Sequence, residues 1–299
     1  MKILLLSFTL IFSVRAFAFK FPKVCQNLLQ AGCSEESRAD YRLNFKAFGA
    51  CLETLEESTT SDPSCHHKLT VKNIDTVDGY PFYRIELKPK SGEPRHRILL
   101  TSGIHGDEAI GPAALINYLE ESLQGEPSQE NYYLVYPMLN PWGNKHCTRR
   151  NKLRVDMNRE LKPSSEFSLF RILVKDLEGK KFDLGIDMHE AGSHEFFFLG
   201  NNKKDISYGV KALANFPLDL LVQSPDGRYP FQKENKPYTF YAPGAGMSTN
   251  KGTMKAFMKD YLKIPVALTT EAPLALDLFK RKSYYKKFVE DLVANLVKA

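Results

Sequence analysis

Ile98-Leu99-Leu100-Thr101-Ser102-Gly103-Ile104-His105-Gly106-Asp107-Glu108 is an apolar run that ends in a glycine-bounded polar turn. Immediately after it, Gly111 and Pro112 open a segment whose apolar residues Leu115, Ile116, Leu119 and Leu123 follow helical spacing, with Gly125 as the stop signal. The stretch therefore reads as strand, turn and helix, with His105 and Glu108 on the turn. Three more apolar runs end in the same way. Residues 132–136 lead into Asn140-Pro141-Trp142-Gly143 and then a loop with Arg149, Arg150, Asn151, Asp156, Asn158 and Arg159. Residues 182–188 lead into His189-Glu190-Ala191-Gly192, and residues 266–270 into Glu271-Ala272-Pro273. Short strands alternating with amphipathic helices predict an α/β domain from about residue 68 to 299, a three-layer α/β/α sandwich on a mixed, mainly parallel sheet. In open sheets of this kind ligands bind beyond the carboxyl ends of the strands, so these four polar clusters are expected to meet in one cleft.

Composition sets the outer bounds. The chain has 299 residues, 43% hydrophobic and 25% charged, which is enough for one large core and excludes wholesale disorder. Residues 3–14 form an apolar run after Lys2, and Ala16 and Ala18 supply small side chains, so residues 1–18 read as a cleaved secretory signal. The run is too short for the ~20 residues of a membrane-spanning helix, and no stable span is expected after cleavage. Without Lys2 and Arg15 the formal charge falls from +6 to +4, a weak bias that argues against a nucleic-acid partner.

Residues 19–67 read as a small Cys-rich appendage, helical from about residue 35 to 56, with a polar connection at 58–64. Cys25, Cys33, Cys51 and Cys65 cluster there and suggest two disulfides of unspecified pairing, leaving Cys147 free. Their gaps do not resemble a C-x2-C zinc knot, even with His66 and His67 beside Cys65.

A catalytic zinc site needs three nitrogen or oxygen ligands and one open position. His105, Glu108 and His189 suit it as a close pair plus a distant third ligand from another strand end. An H-x-x-E pair alone is a weak signal; the joint placement at strand ends among small residues carries the argument. Glu271, behind an apolar strand, is expected to be partly desolvated, which raises its pKa toward the range of a general base. Arg149 or Arg150 suits an oxyanion partner, and Asn158 with Arg159 a clamp for a substrate carboxylate. Lys251 and Lys255, in a helical stretch with Met254, Phe257 and Met258, read as solvated lysines, the alternative being a positive charge that favours an acidic substrate residue.

The segments GIHGDE, NPWG, TRRNKLRVDMNRE, DMHEAG and TTEAP, in this order, resemble the motifs of the zinc carboxypeptidase family related to carboxypeptidase A, and the short loops resemble its compact bacterial branch that processes murein peptides. The resemblance runs from about residue 98 to 273. It implies one Zn2+ per chain on His105, Glu108 and His189, the two-histidine, one-glutamate set of that family, with Glu271 as base, Arg149 polarising the carbonyl, and Asn158 and Arg159 holding the terminal carboxylate. It also implies a substrate-covering tyrosine, for which Tyr241 is chosen over Tyr238. The expected protein is thus a periplasmic or secreted metallocarboxypeptidase acting on peptides with a free carboxylate, possible murein peptides among them. The rivals are an N-acyl amino acid deacylase resembling aspartoacylase and succinylglutamate desuccinylase, and a binding protein on an inactive peptidase scaffold. No G-x-S-x-G elbow is present to support a serine hydrolase.

Overall fold

The computed structural model describes residues 25, 28–31, 33, 41–63, 65–124, 130–192, 196–200, 202–217, 220, 240–241 and 252–297. The signal segment, Gly125, Tyr238 and Lys251 lie outside them, as does the side chain of Tyr241. Strands β1 (Leu29–Ala31) and β2 (Tyr41–Leu43) pair antiparallel and lead into helix α1 (Phe45–Ser61). Asn44 starts the helix by accepting from the Ala47 amide at 3.2 Å. The expected helix at 35–56 is thereby corrected: Tyr41–Leu43 is strand, and α1 runs on through most of the expected 58–64 connection. Thr60 and Ser61 are helical, and their hydroxyls donate to the carbonyls of Glu56 and Glu57.

A long hairpin follows, β3 (His67–Val77) and β4 (Tyr80–Pro89), turning through Asp78 and Gly79 at φ of 51° and 90°. Positive φ at both central residues matches the twist of the flanking strands, which Asp-Gly permits. Then come β5 (Arg97–Ser102), α2 (Ile110–Gln124), β6 (Tyr132–Tyr136), α3 (Pro141–Lys145), α4 (Ser168–Leu177) and β7 (Leu184–Ala191). The chain continues with β8 (Phe197–Gly200), α5 (Lys203–Leu213), β9 (Phe240–Tyr241), and α6 (Met254–Ala256), which passes into a π-helical turn over Phe257–Tyr261. Strand β10 (Val266–Pro273) and helix α7 (Leu278–Val297) complete it.

Among the described residues, eight strands form one sheet in the order β3-β4-β6-β5-β7-β10-β8-β9. The interior pairs β6/β5, β5/β7 and β7/β10 are parallel, and the β3/β4, β4/β6 and β10/β8 pairs antiparallel. Parallel strands covered on both faces carry near-continuous apolar runs, as in Ile98-Leu99-Leu100. One face packs against α1, α2, α5 and α7 through residues such as Leu52, Leu119, Leu213 and Phe288. The other packs against α4 and the helical turns after Thr253 through Leu173, Phe257 and Met258. The expected three-layer mixed sandwich is the fold of this chain.

The disulfides pair Cys25 with Cys51 and Cys33 with Cys147, and Cys65 is the free, buried thiol, pushed up to about 11 chiefly by burial. The expectation of two bridges among the four clustered cysteines is corrected. The β1/β2 hairpin lies on α3: the Leu43 amide donates to Asn144 Oδ1 at 2.8 Å and Arg42 Nη1 to the Lys145 carbonyl at 3.3 Å. That docking brings Cys33 to Cys147, which is 114 residues away in sequence.

Behind the polar strand ends, Arg281 of α7 donates to Glu190 Oε1 at 2.8 Å, and Glu190 Oε2 accepts from the Ile110 amide at 3.0 Å. This pair, 3% and 2% exposed, ties α7 and the start of α2 to the end of β7. Burial pushes Glu190 up to about 7 against the pull of Arg281. Arg281→Met is expected to lower stability by about 3 kcal/mol in urea unfolding, because one buried partner loses its counter-charge. Adding Glu190→Gln should return part of that loss.

Candidate metal centre

The turn after β5 is locked to the turn after β6. The Leu139 amide donates to the Ser102 carbonyl at 3.0 Å, the Asn140 amide to Gly103 at 2.8 Å, and Asn144 Nδ2 to Gly106 at 3.0 Å. Gly106 approaches Gly143 so closely that a Cβ on it would lie 2.1 Å from the Gly143 carbonyl carbon. The GIHGDE turn thus needs Gly106 for its approach to the NPWG segment, and their contact holds His105 and Glu108 in place. His189 lies within β7, and Glu271 of β10 is its register partner. Parallel pairing in register puts both side chains on one face of the sheet, next to each other.

Three candidate ligand residues converge there. His105 Nδ1 lies 2.8 Å from Glu108 Oε1, His189 Nδ1 2.9 Å from Glu108 Oε2, and the two Nδ1 atoms are 3.0 Å apart. Bonds of 2.0–2.1 Å in a tetrahedral zinc site would put ligand atoms about 3.3 Å apart, so this set needs only a slight opening to admit the ion. The remaining His189 nitrogen, Nε2, is 2.7 Å from Asp187 Oδ2, and Asp187 Oδ1 accepts from Thr101 Oγ1 at 2.8 Å. His105 Nε2 faces Asp156 Oδ1 at 3.3 Å. Carboxylates on the outer nitrogens orient each ring and leave Nδ1 turned inward. Two inward Nδ1 atoms with free lone pairs repel unless a cation or proton lies between them. Glu108 Oε2 is buried and without a hydrogen bond among the described residues. The donor set fits a divalent zinc ion.

The electrostatics agree. Burial works to lower the pKa of His189, but Asp187 and Glu108 outweigh it and raise the ring well above its usual value. His105 behaves likewise: burial lowers it, and Glu108 with Asp156 raises it on balance. Burial alone would raise Glu108, whereas the two imidazoles hold it far below the ordinary carboxylate range. Three carboxylates around two rings make a pocket that demands positive charge. Glu271 is pushed up to about 7, by burial first, with the rings pulling it down and Glu108 pushing it up.

Arg149 reaches the same place. Its Nη1 lies 3.0 Å from His105 Nδ1, while Nε and Nη2 hold Asp156 Oδ2 at 3.2 and 3.0 Å. Arg150 points away, donating to the Arg154 carbonyl at 2.8 Å from an exposed position. Asn158 is buried and its Oδ1 accepts from the Met254 amide at 2.7 Å; Arg159 is exposed, with Nη1 on the Asn158 carbonyl at 2.7 Å. Tyr241 is described only as backbone, paired with Gly200. Lys255 is buried, not solvated, because α6 lies against β7 and β10. The sequence placed Asp156 in the polar loop of the cleft without a role, and Asp187 was not singled out. Asp187 was recoverable, since a residue two before His189 in a strand must share its face; Asp156 sits in an irregular loop where no periodicity points to it.

Comparison with curated proteins finds no match. Residues 94–230 match the family model of the succinylglutamate desuccinylase/aspartoacylase catalytic domain. Among solved structures, a candidate metallopeptidase from Shewanella amazonensis SB2B is similar with a TM-score of 0.65 and 18% identity, over 88% of this chain and 98% of that chain. A metallo-carboxypeptidase from Burkholderia cenocepacia has a TM-score of 0.65 and 14% identity, over 87% of this chain and 71% of its own. Carboxypeptidase A from Helicoverpa armigera follows at 0.60 and 15%, over 87% and 76%. This chain has the fold of the metallo-carboxypeptidases, and over residues 94–230 it is similar to the succinylglutamate desuccinylase/aspartoacylase catalytic domain.

Proposed function

We propose that this protein is an exported zinc hydrolase that cleaves the amide bond next to a free carboxylate, as a carboxypeptidase does, with murein-derived peptides as substrates. The observation that carries the reading is the convergence of His105 Nδ1, His189 Nδ1 and Glu108 beside Glu271, with Asp187 and Asp156 on the outer nitrogens. A zinc ion held by these three residues supplies a Lewis acid for the scissile carbonyl and an activated water. Glu271 takes the proton of the attacking water on its carboxylate and hands it to the leaving amine. Arg149, held by Asp156, presents its guanidinium to the oxyanion that develops. Asn158 and Arg159 bind and orient the terminal carboxylate, with Tyr241 from β9 covering the substrate. Disulfides within the described residues support an oxidising compartment, and no helix among them is long and apolar enough to cross a membrane.

A second reading, deacylation of an N-acyl amino acid, is favoured by the family model over residues 94–230. One experiment separates the two. The zinc-loaded protein is incubated with cell-wall tetrapeptides, unrelated peptides, N-acetylaspartate and N-succinylglutamate, and the products are identified by mass spectrometry. Loss of single C-terminal residues from peptides supports the proposal. Cleavage of the N-acyl amino acids alone replaces it with the second reading.

A further inference from the structure

Asn144 is fully buried on α3 and gives the two ends of its side-chain amide to partners far apart in sequence. Its Oδ1 accepts from the Leu43 amide of the β1/β2 hairpin at 2.8 Å, and its Nδ2 donates to the carbonyl of Gly106, between His105 and Glu108, at 3.0 Å. The Gly106 amide in turn donates to the Arg149 carbonyl at 3.3 Å, so the backbone of this metal-centre turn rests on residues 144–149 on both sides. Within that support Cys147 holds a φ of 53°, a left-handed backbone that a non-glycine residue keeps only where its surroundings fix it. Among the described residues, the hairpin is tied to this segment by the Leu43 bond, by Arg42 Nη1 on the Lys145 carbonyl at 3.3 Å, and by the Cys33–Cys147 bridge. Cys33 and Cys147 are half-buried, whereas Cys25 and Cys51 are 2% and 0% exposed. A reagent in solution therefore meets the Cys33–Cys147 sulfurs first.

We propose that the Cys33–Cys147 bridge is an oxidation-dependent latch on the metal centre: closing it holds the hairpin on Asn144, Asn144 holds the Gly106 turn, and the protein binds zinc tightly only when bridged. This goes beyond the reading above and takes from it only the metal and the passage into an oxidising compartment. The chemistry is thiol–disulfide exchange with an oxidant of the disulfide class. The thiolate of one cysteine attacks a sulfur of the oxidant and expels the other as a thiolate, and the thiolate of the second cysteine then resolves the mixed disulfide. Two electrons pass from the cysteine pair to the oxidant, the two cysteine protons end on its sulfurs, and it leaves as two thiols. Linking residues 114 apart removes much of the freedom through which the hairpin would leave α3. With the bridge open, His105 and Glu108 remain but lose the outer support that orients them, which costs metal affinity. A chain still in a reducing compartment would hold the metal weakly.

The test reads zinc affinity, which needs no turnover. Full-length oxidised protein is reduced in graded steps with a trialkylphosphine, freed of reductant under nitrogen, and titrated with zinc against a chromogenic chelator. Alkylation and peptide mapping of the same samples report which bridge has opened. We expect Cys33–Cys147 to open before Cys25–Cys51, zinc affinity to fall about 10-fold as it opens, and oxidised glutathione to restore it. The visible spectrum of the cobalt-substituted protein should change with the bridge, a report on ligand geometry that a general loss of stability does not give. Asn144→Leu keeps the volume but removes both hydrogen bonds, so with the bridge closed it should weaken zinc by a similar factor, and opening the bridge should then add less than ~3-fold. A fall of less than ~3-fold in the unaltered protein, earlier opening of Cys25–Cys51, a loss that reoxidation does not restore, no zinc binding in either state, or a further loss of ~3-fold or more on top of Asn144→Leu would each overturn the proposal. Because the comparison is first made on the unaltered protein, a variant that fails to fold does not weaken the test. Thiol-dependent zinc binding by a protein that cleaves neither peptides nor N-acyl amino acids would support the latch and remove only the hydrolase reading.

Discussion

Glu271→Gln is expected to lower turnover by at least ~100-fold while metal content stays at the level of the unaltered protein. Glutamine keeps the shape of the side chain but cannot accept a proton, so the change separates proton transfer from packing. Glu271 sits on β10 in register with His189, close enough to feel both rings and Glu108, yet it is not one of the three converging ligands. Burial pushes it up to about 7, a value suited to taking a proton near neutral pH and giving it back. Steady-state kinetics on a chromogenic peptide, alongside metal analysis of the same preparations, checks this. Turnover within about threefold of the unaltered protein would exclude Glu271 as the general base.

His189→Ala is expected to remove metal and activity together. It deletes one of three ligands and leaves Asp187, fully buried, with Oδ2 bereft of its 2.7 Å contact. The metal-free variant should therefore also lose roughly 1–3 kcal/mol of stability relative to the metal-free parent. Asp187→Asn spares the ligand itself and should weaken zinc affinity by about 10–100-fold, the usual effect of losing the group that orients a ligating histidine. Stoichiometric zinc in His189→Ala, measured by plasma emission spectrometry after dialysis, would reject His189 as a ligand.

The parallel strands were legible because burial on both faces leaves a largely apolar run, and the polar residues that interrupt such a run gather toward its carboxyl end. That logic located His105, Glu108, His189 and Glu271 together. Glu271 and His189 lie inside their strands, not after them, which matters because it is the strand register that makes them neighbours. The hairpin at residues 67–89 was readable from Asp78-Gly79 but is hidden when only strand-helix alternation is sought. Disulfide pairing was not legible at all: closeness of Cys33 to Cys147 depends on where the β1/β2 hairpin docks, and proximity in sequence pointed to Cys65 instead. Lys255 was misread for a related reason. A lysine in a charged helical stretch is ordinarily solvated, and only the packing of residues 252–258 on the sheet turns this one inward.

The proposed reaction is hydrolysis of an amide bond beside a free carboxylate. Asn158 and Arg159, proposed to hold that carboxylate, follow Asp156, which also holds Arg149 and faces His105. The most direct measurement compares, for the zinc-loaded protein, the rate of loss of the C-terminal residue from one peptide as the free acid and as the C-terminal amide, followed by mass spectrometry. The predicted result is a free acid cleaved at least ~100-fold faster, with Arg159→Ala costing about 2 kcal/mol on the acid and far less on the amide. Equal rates on the two peptides would contradict it.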